Sequence, residues 1–188
     1  MPPTTRLDAS AWVDAAYDAF ATAGLDAVKV EPVARTLGAT KGSFYWHFAD
    51  RQALVDAVLA RWEAETERIV DEVEATPGGP AEQLAALFTA VRRRRSPRTG
   101  EQLLYAQSDR PGVAAAMSRV TARRLDVVSH LLRSAGFAPS EARARATIAL
   151  ATVVGAEHLS LATPDLAPTG DDARAVRDLS LAMILGQG

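Results

Sequence analysis

Lys41, Ser43, Tyr45, Trp46 and His47 crowd a cation, a hydroxyl, two polar-edged aromatic rings and an imidazole into seven consecutive positions. On a helix running from Lys41 to Phe48, Phe44 and Phe48 lie four apart and turn inward, which leaves these five on the outer side. They hold no paired carboxylates and no nucleophile with a base beside it. Such a set of donors and flat rings is exposed where something binds it.

The residues just before this segment say how it is positioned. Val33, Ala34 and Leu37 fall on one face of a short helix while Arg35 and Thr36 point away, and Gly38 follows where the chain must turn. Glycine enters the left-handed backbone that ends a helix without a side-chain clash, and a small Ala34 lets a second helix pack close. Thr40 then supplies a hydroxyl cap for the helix that follows. Two helices joined by a short glycine-containing turn make a helix-turn-helix, whose second helix enters the DNA major groove. On this reading Lys41, Gly42 and Ser43 lie at the leading end, where side chains reach bases and bare amides meet phosphate, and Tyr45, Trp46 and His47 lie on the outer face.

The run Gly38-Ala39-Thr40-Lys41-Gly42-Ser43-Phe44-Tyr45-Trp46-His47-Phe48, followed by Asp50, Arg51 and Leu54, resembles the signature of the TetR family of bacterial transcriptional regulators. The resemblance reaches back through Leu7, Asp8, Gly24 and Leu25 and covers the first third of the chain. It implies that the outer positions touch phosphates and base edges, and that the protein is a homodimer. It also implies a phosphate clamp at Arg51, where the family usually carries lysine. Family members commonly open the second helix with Thr or Ser, whereas this chain has Lys29-Val30-Glu31-Pro32. Glu31 suits the positive end of the helix dipole but repels phosphate, so the clamp passes to Lys29 or weakens. Arg6, ahead of the first helix, either reaches the DNA backbone or minor groove or is a charge on a disordered arm.

Composition bounds the rest. With 188 residues and 48% apolar content the chain has enough material for a real core. The lack of cysteine excludes disulfides, thiolate catalysis and Cys-ligated zinc, and suits a reducing compartment. Without a membrane-spanning apolar run or a secretory signal in MPPTTRLDASAW, the expectation is a cytoplasmic protein with no membrane partner. The net charge of -2 runs against a strongly basic DNA-binding domain. Yet the only two lysines, Lys29 and Lys41, both fall in the N-terminal region, so an acidic body carries a locally basic head whose non-specific affinity should be weak and salt-sensitive. No phosphate-binding glycine loop or HExxH is present, the three histidines are dispersed, and Glu63, Glu65 and Glu67 alternate by two, which scatters them around a helix. Neither a catalytic residue nor a metal or cofactor is expected.

The periodicity predicts an all-α chain of about nine helices. The first spans Asp8 to Ala23 with Trp12, Ala16, Ala19, Phe20 and Ala23 inward and Leu7 stapled onto Trp12. A long helix starts at Asp50 and runs until Thr76-Pro77-Gly78-Gly79-Pro80. Further helices are expected over 81–95, 100–107, 111–134, 139–162 and 171–185. The domain division is then 1–50 for a DNA-binding helix-turn-helix and 51–188 for a helical effector-binding and dimerisation body, with 51–75 connecting them. Four consecutive arginines, Arg92 to Arg95, end a helix and read as a solvated terminus.

The helix from Pro139 is apolar on every side from Ile148 to Ala156, and a helix apolar all round must be covered all round. Leu150 and Val154 there, with Leu179, Ala182 and Met183 of the last helix, are expected to pair with their copies across a two-fold axis; burial within one protomer is the alternative. Trp62, Phe88, Tyr105, Met117 and His158 are expected to line a cavity for a small apolar or amphipathic effector. For His158, beside Glu157, an interior hydrogen bond or an interface position stays open. The function expected is a ligand-responsive repressor released from a palindromic operator on double-stranded DNA. Its rivals are a helical adaptor without operator recognition and a DNA-organising protein without an effector.

Overall fold

Asp8 has extended backbone and its Oδ1 accepts the Ala11 N–H at 3.0 Å, which caps helix α1 (Ala9–Ala23). The computed structural model describes residues 8–93 and 99–186, and among these it holds nine α-helices, two single-turn 3-10 helices and no strand. The all-α expectation is met. After α1 come α2 (Val30–Thr36), α3 (Lys41–Phe44), α4 (Arg51–Glu74), α5 (Pro80–Arg93), α6 (Thr99–Ala106), α7 (Pro111–Ser134), α8 (Pro139–Ala162) and α9 (Gly170–Leu185). α7 and α8 begin at prolines, whose missing N–H would have had no partner in a first turn. Arg6, Leu7, Arg94 and Arg95, together with the side chains of Arg92 and Arg93, lie outside the described residues.

Two local expectations need correction. Ala23 is exposed and Ala21 is buried instead, because α1 turns that side to its neighbours just before Gly24 breaks it. Regular α3 covers Lys41–Phe44 rather than reaching Phe48. The chain beyond it stays tightly wound, with Trp46 N–H to Ser43 O at 3.3 Å, His47 N–H to Phe44 O at 2.9 Å and Phe48 N–H to Phe44 O at 3.0 Å.

The described residues form two compact units, one from 8–64 and 99–117, the other from 65–93 and 118–186. In the first, Trp12, Phe20, Leu25, Val28, Phe44, Leu54, Val58, Trp62 and Leu104 are buried. α6 packs on α1 at close range, for a Cβ added to Gly100 would lie 2.0 Å from the Phe20 carbonyl oxygen. Gln107 and Arg110 hold Asp26, which follows α1, at 3.3 and 3.1 Å. Arg61 of α4 pairs with Asp14 and stacks over the Tyr17 ring of α1 at 4.5 Å.

In the second unit, Ile69, Val70, Val73, Leu84, Val127, Val128, Leu131, Leu132 and Ile184 enclose a face of α8 built from Ala142, Ala146 and Ala149. Alanine at this spacing lets helix axes approach closely. Arg145 lies over the Phe137 ring at 4.3 Å and donates to the Met183 and Ile184 carbonyls at 2.7 and 3.0 Å, which satisfies the last turn of α9.

Gly100→Ala tests the α1–α6 approach. A methyl group with no room forces the helices apart, so urea unfolding should show a loss of about 1–3 kcal/mol; unchanged stability would mean that α6 does not sit against α1 as described.

Candidate nucleic-acid interface

The turn between α2 and α3 is closed by backbone hydrogen bonds of a kind that only one residue type tolerates easily. Gly38 has φ 62°, its N–H bonds to Arg35 O at 3.2 Å, and Ala39 N–H bonds to Ala34 O at 2.8 Å. This paired closure of a helix end needs left-handed backbone at its centre. Two residues later Thr40 is extended and its Oγ1 accepts Ser43 N–H at 3.2 Å, while Ser43 Oγ donates to Thr40 O at 2.7 Å. Thr40 and Ser43 are therefore tied into the cap, and Lys41 and Gly42 project between them.

Phe44 is the anchor. It is fully buried, edge-on to Trp12 at 5.4 Å, stacked with Phe48 at 5.4 Å and in contact with Tyr45 at 5.2 Å. With that ring drawn inward, Tyr45, Trp46 and His47 are exposed, Trp46 at 87%. An indole this exposed buries almost nothing within the chain and offers its N–H and its ring to a partner.

The cations around this surface differ in what they are attached to. Lys41 Nζ donates to Glu31 Oε1 at 2.8 Å across the turn. This bond, with the attraction of the two charges, holds the Glu31 carboxyl below its ordinary value and lifts the Lys41 ammonium above its own. Lys29 is exposed at the extended residue that starts α2. Arg51 is half-buried; its Nε donates to Val28 O and its Nη2 to Leu25 O, each at 2.7 Å. Those two bonds close the end of the α1–α2 connection and spend two of the five N–H groups of the guanidinium, which leaves three for another acceptor. Nothing in the spacing of Arg51 from Leu25 and Val28 announced this bond, which is a tertiary contact.

The expected effector-lining residues are drawn from both compact units. Trp62, Tyr105 and Met117 belong to the first unit, Phe88 and His158 to the second. Trp62 is buried in its unit's core, where Nε1 donates to Glu101 Oε2 at 3.2 Å. Phe88 packs half-buried against the second core, Met117 is half-buried, and Tyr105 and His158 are exposed. Sequence inspection missed Glu101, because a carboxylate on a short amphipathic helix looks like surface.

Of the residues expected at a two-fold contact, Leu150, Val154 and Ala182 are half-buried, whereas Leu179 and Met183 are 63% and 64% exposed. Ile148, Leu159, Leu161 and Val176 of the same two helices are exposed beside them. α8 therefore buries Ala142, Ala146 and Ala149 within the unit and turns Ile148, Leu159 and Leu161 outward.

Residues 13–58 match the family described as bacterial regulatory proteins, tetR family. The chain is 29% identical over 129 residues to the HTH-type transcriptional regulator SrpR of Pseudomonas putida, a match covering 65% of this chain and 58% of that protein. Its fold is similar to that of a transcriptional regulator from Rhodococcus sp. Rha1, at TM-score 0.79 and 24% identity over 96% of this chain and 97% of the other. It is also similar to a TetR transcriptional regulator from Legionella pneumophila, at TM-score 0.78 and 13% identity over 94% and 97%.

Arg51→Ala separates the two roles of that side chain. Losing charged hydrogen bonds to two carbonyls should cost about 1.5–3 kcal/mol of stability in the absence of DNA, read by urea unfolding. A side chain reserved for phosphate would leave DNA-free stability untouched.

Proposed function

We propose that this chain, whose residues 13–58 match the tetR family of bacterial regulatory proteins, is a homodimeric repressor whose two heads read a palindromic operator and release it when a small molecule binds the body. The observation that carries the reading is the outward Tyr45-Trp46-His47 surface, held out by Phe44 beneath it. Sequence choice resides in Lys41, Gly42, Tyr45, Trp46 and His47, with Lys29 on the phosphate backbone and Thr40 and Ser43 shaping the cap. Arg6 is a backbone or minor-groove contact of the same head.

Two heads on one duplex face must meet half-sites about 34–36 Å apart, which requires a two-fold partner. The exposed apolar side chains of α8 and α9 support a contact between copies, with Leu150, Val154, Leu179, Ala182 and Met183 in it. A cytoplasmic location follows from the substrate, DNA. α4 and α7 contribute residues to both compact units, so an effector that favours one arrangement of these helices changes the spacing of the heads. Phe88, Met117, Tyr105 and His158 are the first side chains to truncate in seeking its site.

Genomic fragments selected on the purified protein should share a palindrome, and Lys41→Ala with Tyr45→Ala should abolish that selection while thermal unfolding stays unchanged. Recovery of unrelated fragments would favour a DNA-organising protein, and recovery of none an adaptor. Separately, Leu179→Glu with Met183→Glu should convert a dimer to a monomer in sedimentation analysis and weaken operator binding at least tenfold, since burying an unpaired charge opposes association. A dimer that survives both substitutions would place the contact elsewhere.

A further inference from the structure

We propose that Glu31 is a specificity-determining residue: held on Lys41 across the helix-turn-helix, its carboxylate competes with DNA phosphate for that ammonium and so favours base edges over backbone. The inference rests on the operator-reading function above.

Lys41 is the first residue of α3 and Glu31 lies in the first turn of α2, yet Nζ and Oε1 are 2.8 Å apart. Their side chains are 57% and 66% exposed, so water reaches both and the pair contributes little to folding. Its effect is on the charge that the head presents. An ammonium has three N–H donors and spends one here, which leaves two for other acceptors. A neutral acceptor such as guanine O6 or N7 can take one of these while Glu31 keeps its own. A phosphate brought to the same ammonium meets the Glu31 charge beside it and must either displace the carboxylate or endure the repulsion.

The same geometry acts on salt dependence. A lysine that neutralises a phosphate releases a condensed counter-ion and draws its non-specific affinity from that release. Lys41 already has an anion, so exchanging carboxylate for phosphate gains little. Arg35 adds its own attraction to the Glu31 charge, and Tyr45 acts on the Lys41 ammonium. Lys41 is one of the cations the head offers to DNA, beside the exposed Lys29 and Arg35.

Glu31→Gln keeps the shape and removes the charge. Binding would be measured to the selected operator duplex and to a scrambled duplex of equal length, each over a salt series. Glu31→Gln should bind the scrambled duplex about two- to fivefold tighter per head, in keeping with one exposed ion pair. Operator affinity should rise less, so the ratio of the two falls. The slope of log K against log salt should steepen by about one per head. In a Lys41→Gln background the same change should lose this gain. Unchanged scrambled-duplex binding and slope in Glu31→Gln, with operator binding intact, overturns this inference alone, as does a gain that persists without Lys41. Failure of the unmodified protein to prefer any duplex removes the operator-reading function and this inference with it.

Discussion

The burial of one ring, Phe44, governs what the head can do. A regular helix of four residues has almost no stability of its own, since nucleation costs more than one turn of hydrogen bonds returns. Tertiary contact supplies what is missing. Phe44 lies against Trp12 of α1 and Phe48 on its own segment, and that placement fixes the rotation of α3 about its axis. Turning α3 to expose Phe44 would bury Tyr45, Trp46 or His47 and destroy the outward surface. The Gly38 closure and the Thr40 cap then set where the segment begins, so orientation and register have separate causes.

That head is held by more than its own three helices. Arg51 reaches back to carbonyls at Leu25 and Val28, Arg61 grips Asp14 and Tyr17, and α6 is pressed on α1 through Gly100. Charged groups have been turned to internal use, which is consistent with a protein of net charge -2 that still presents a reading surface.

The second unit solves a different problem, since a helix with apolar residues on every side cannot satisfy them all within one small protomer. α8 divides the task between its sides. Ala142, Ala146 and Ala149 face the close-packed interior, where small side chains allow near approach, and Ile148, Leu159 and Leu161 remain outside with Leu179 and Met183 of α9. Arg145, stacked on Phe137, fastens the end of α9.

Sequence alone determined the helical class, the limits of α7 and α8, the Thr40 cap, the Gly38 turn and the inward Phe44, because each follows from neighbours within a few residues of one another. The exposure of Tyr45, Trp46 and His47 was legible for the same reason: a helical period assigns faces locally. Tertiary structure decided what Arg51, Lys41, Trp62 and Glu101 touch, and those partners lie 10 to 39 positions away. A long cation or a carboxylate near a surface can choose among many partners, and its period does not say which. Only the folded chain, by bringing Val28 to Arg51 and Glu31 to Lys41, settles whether a charge is spent within the protein or offered to something else.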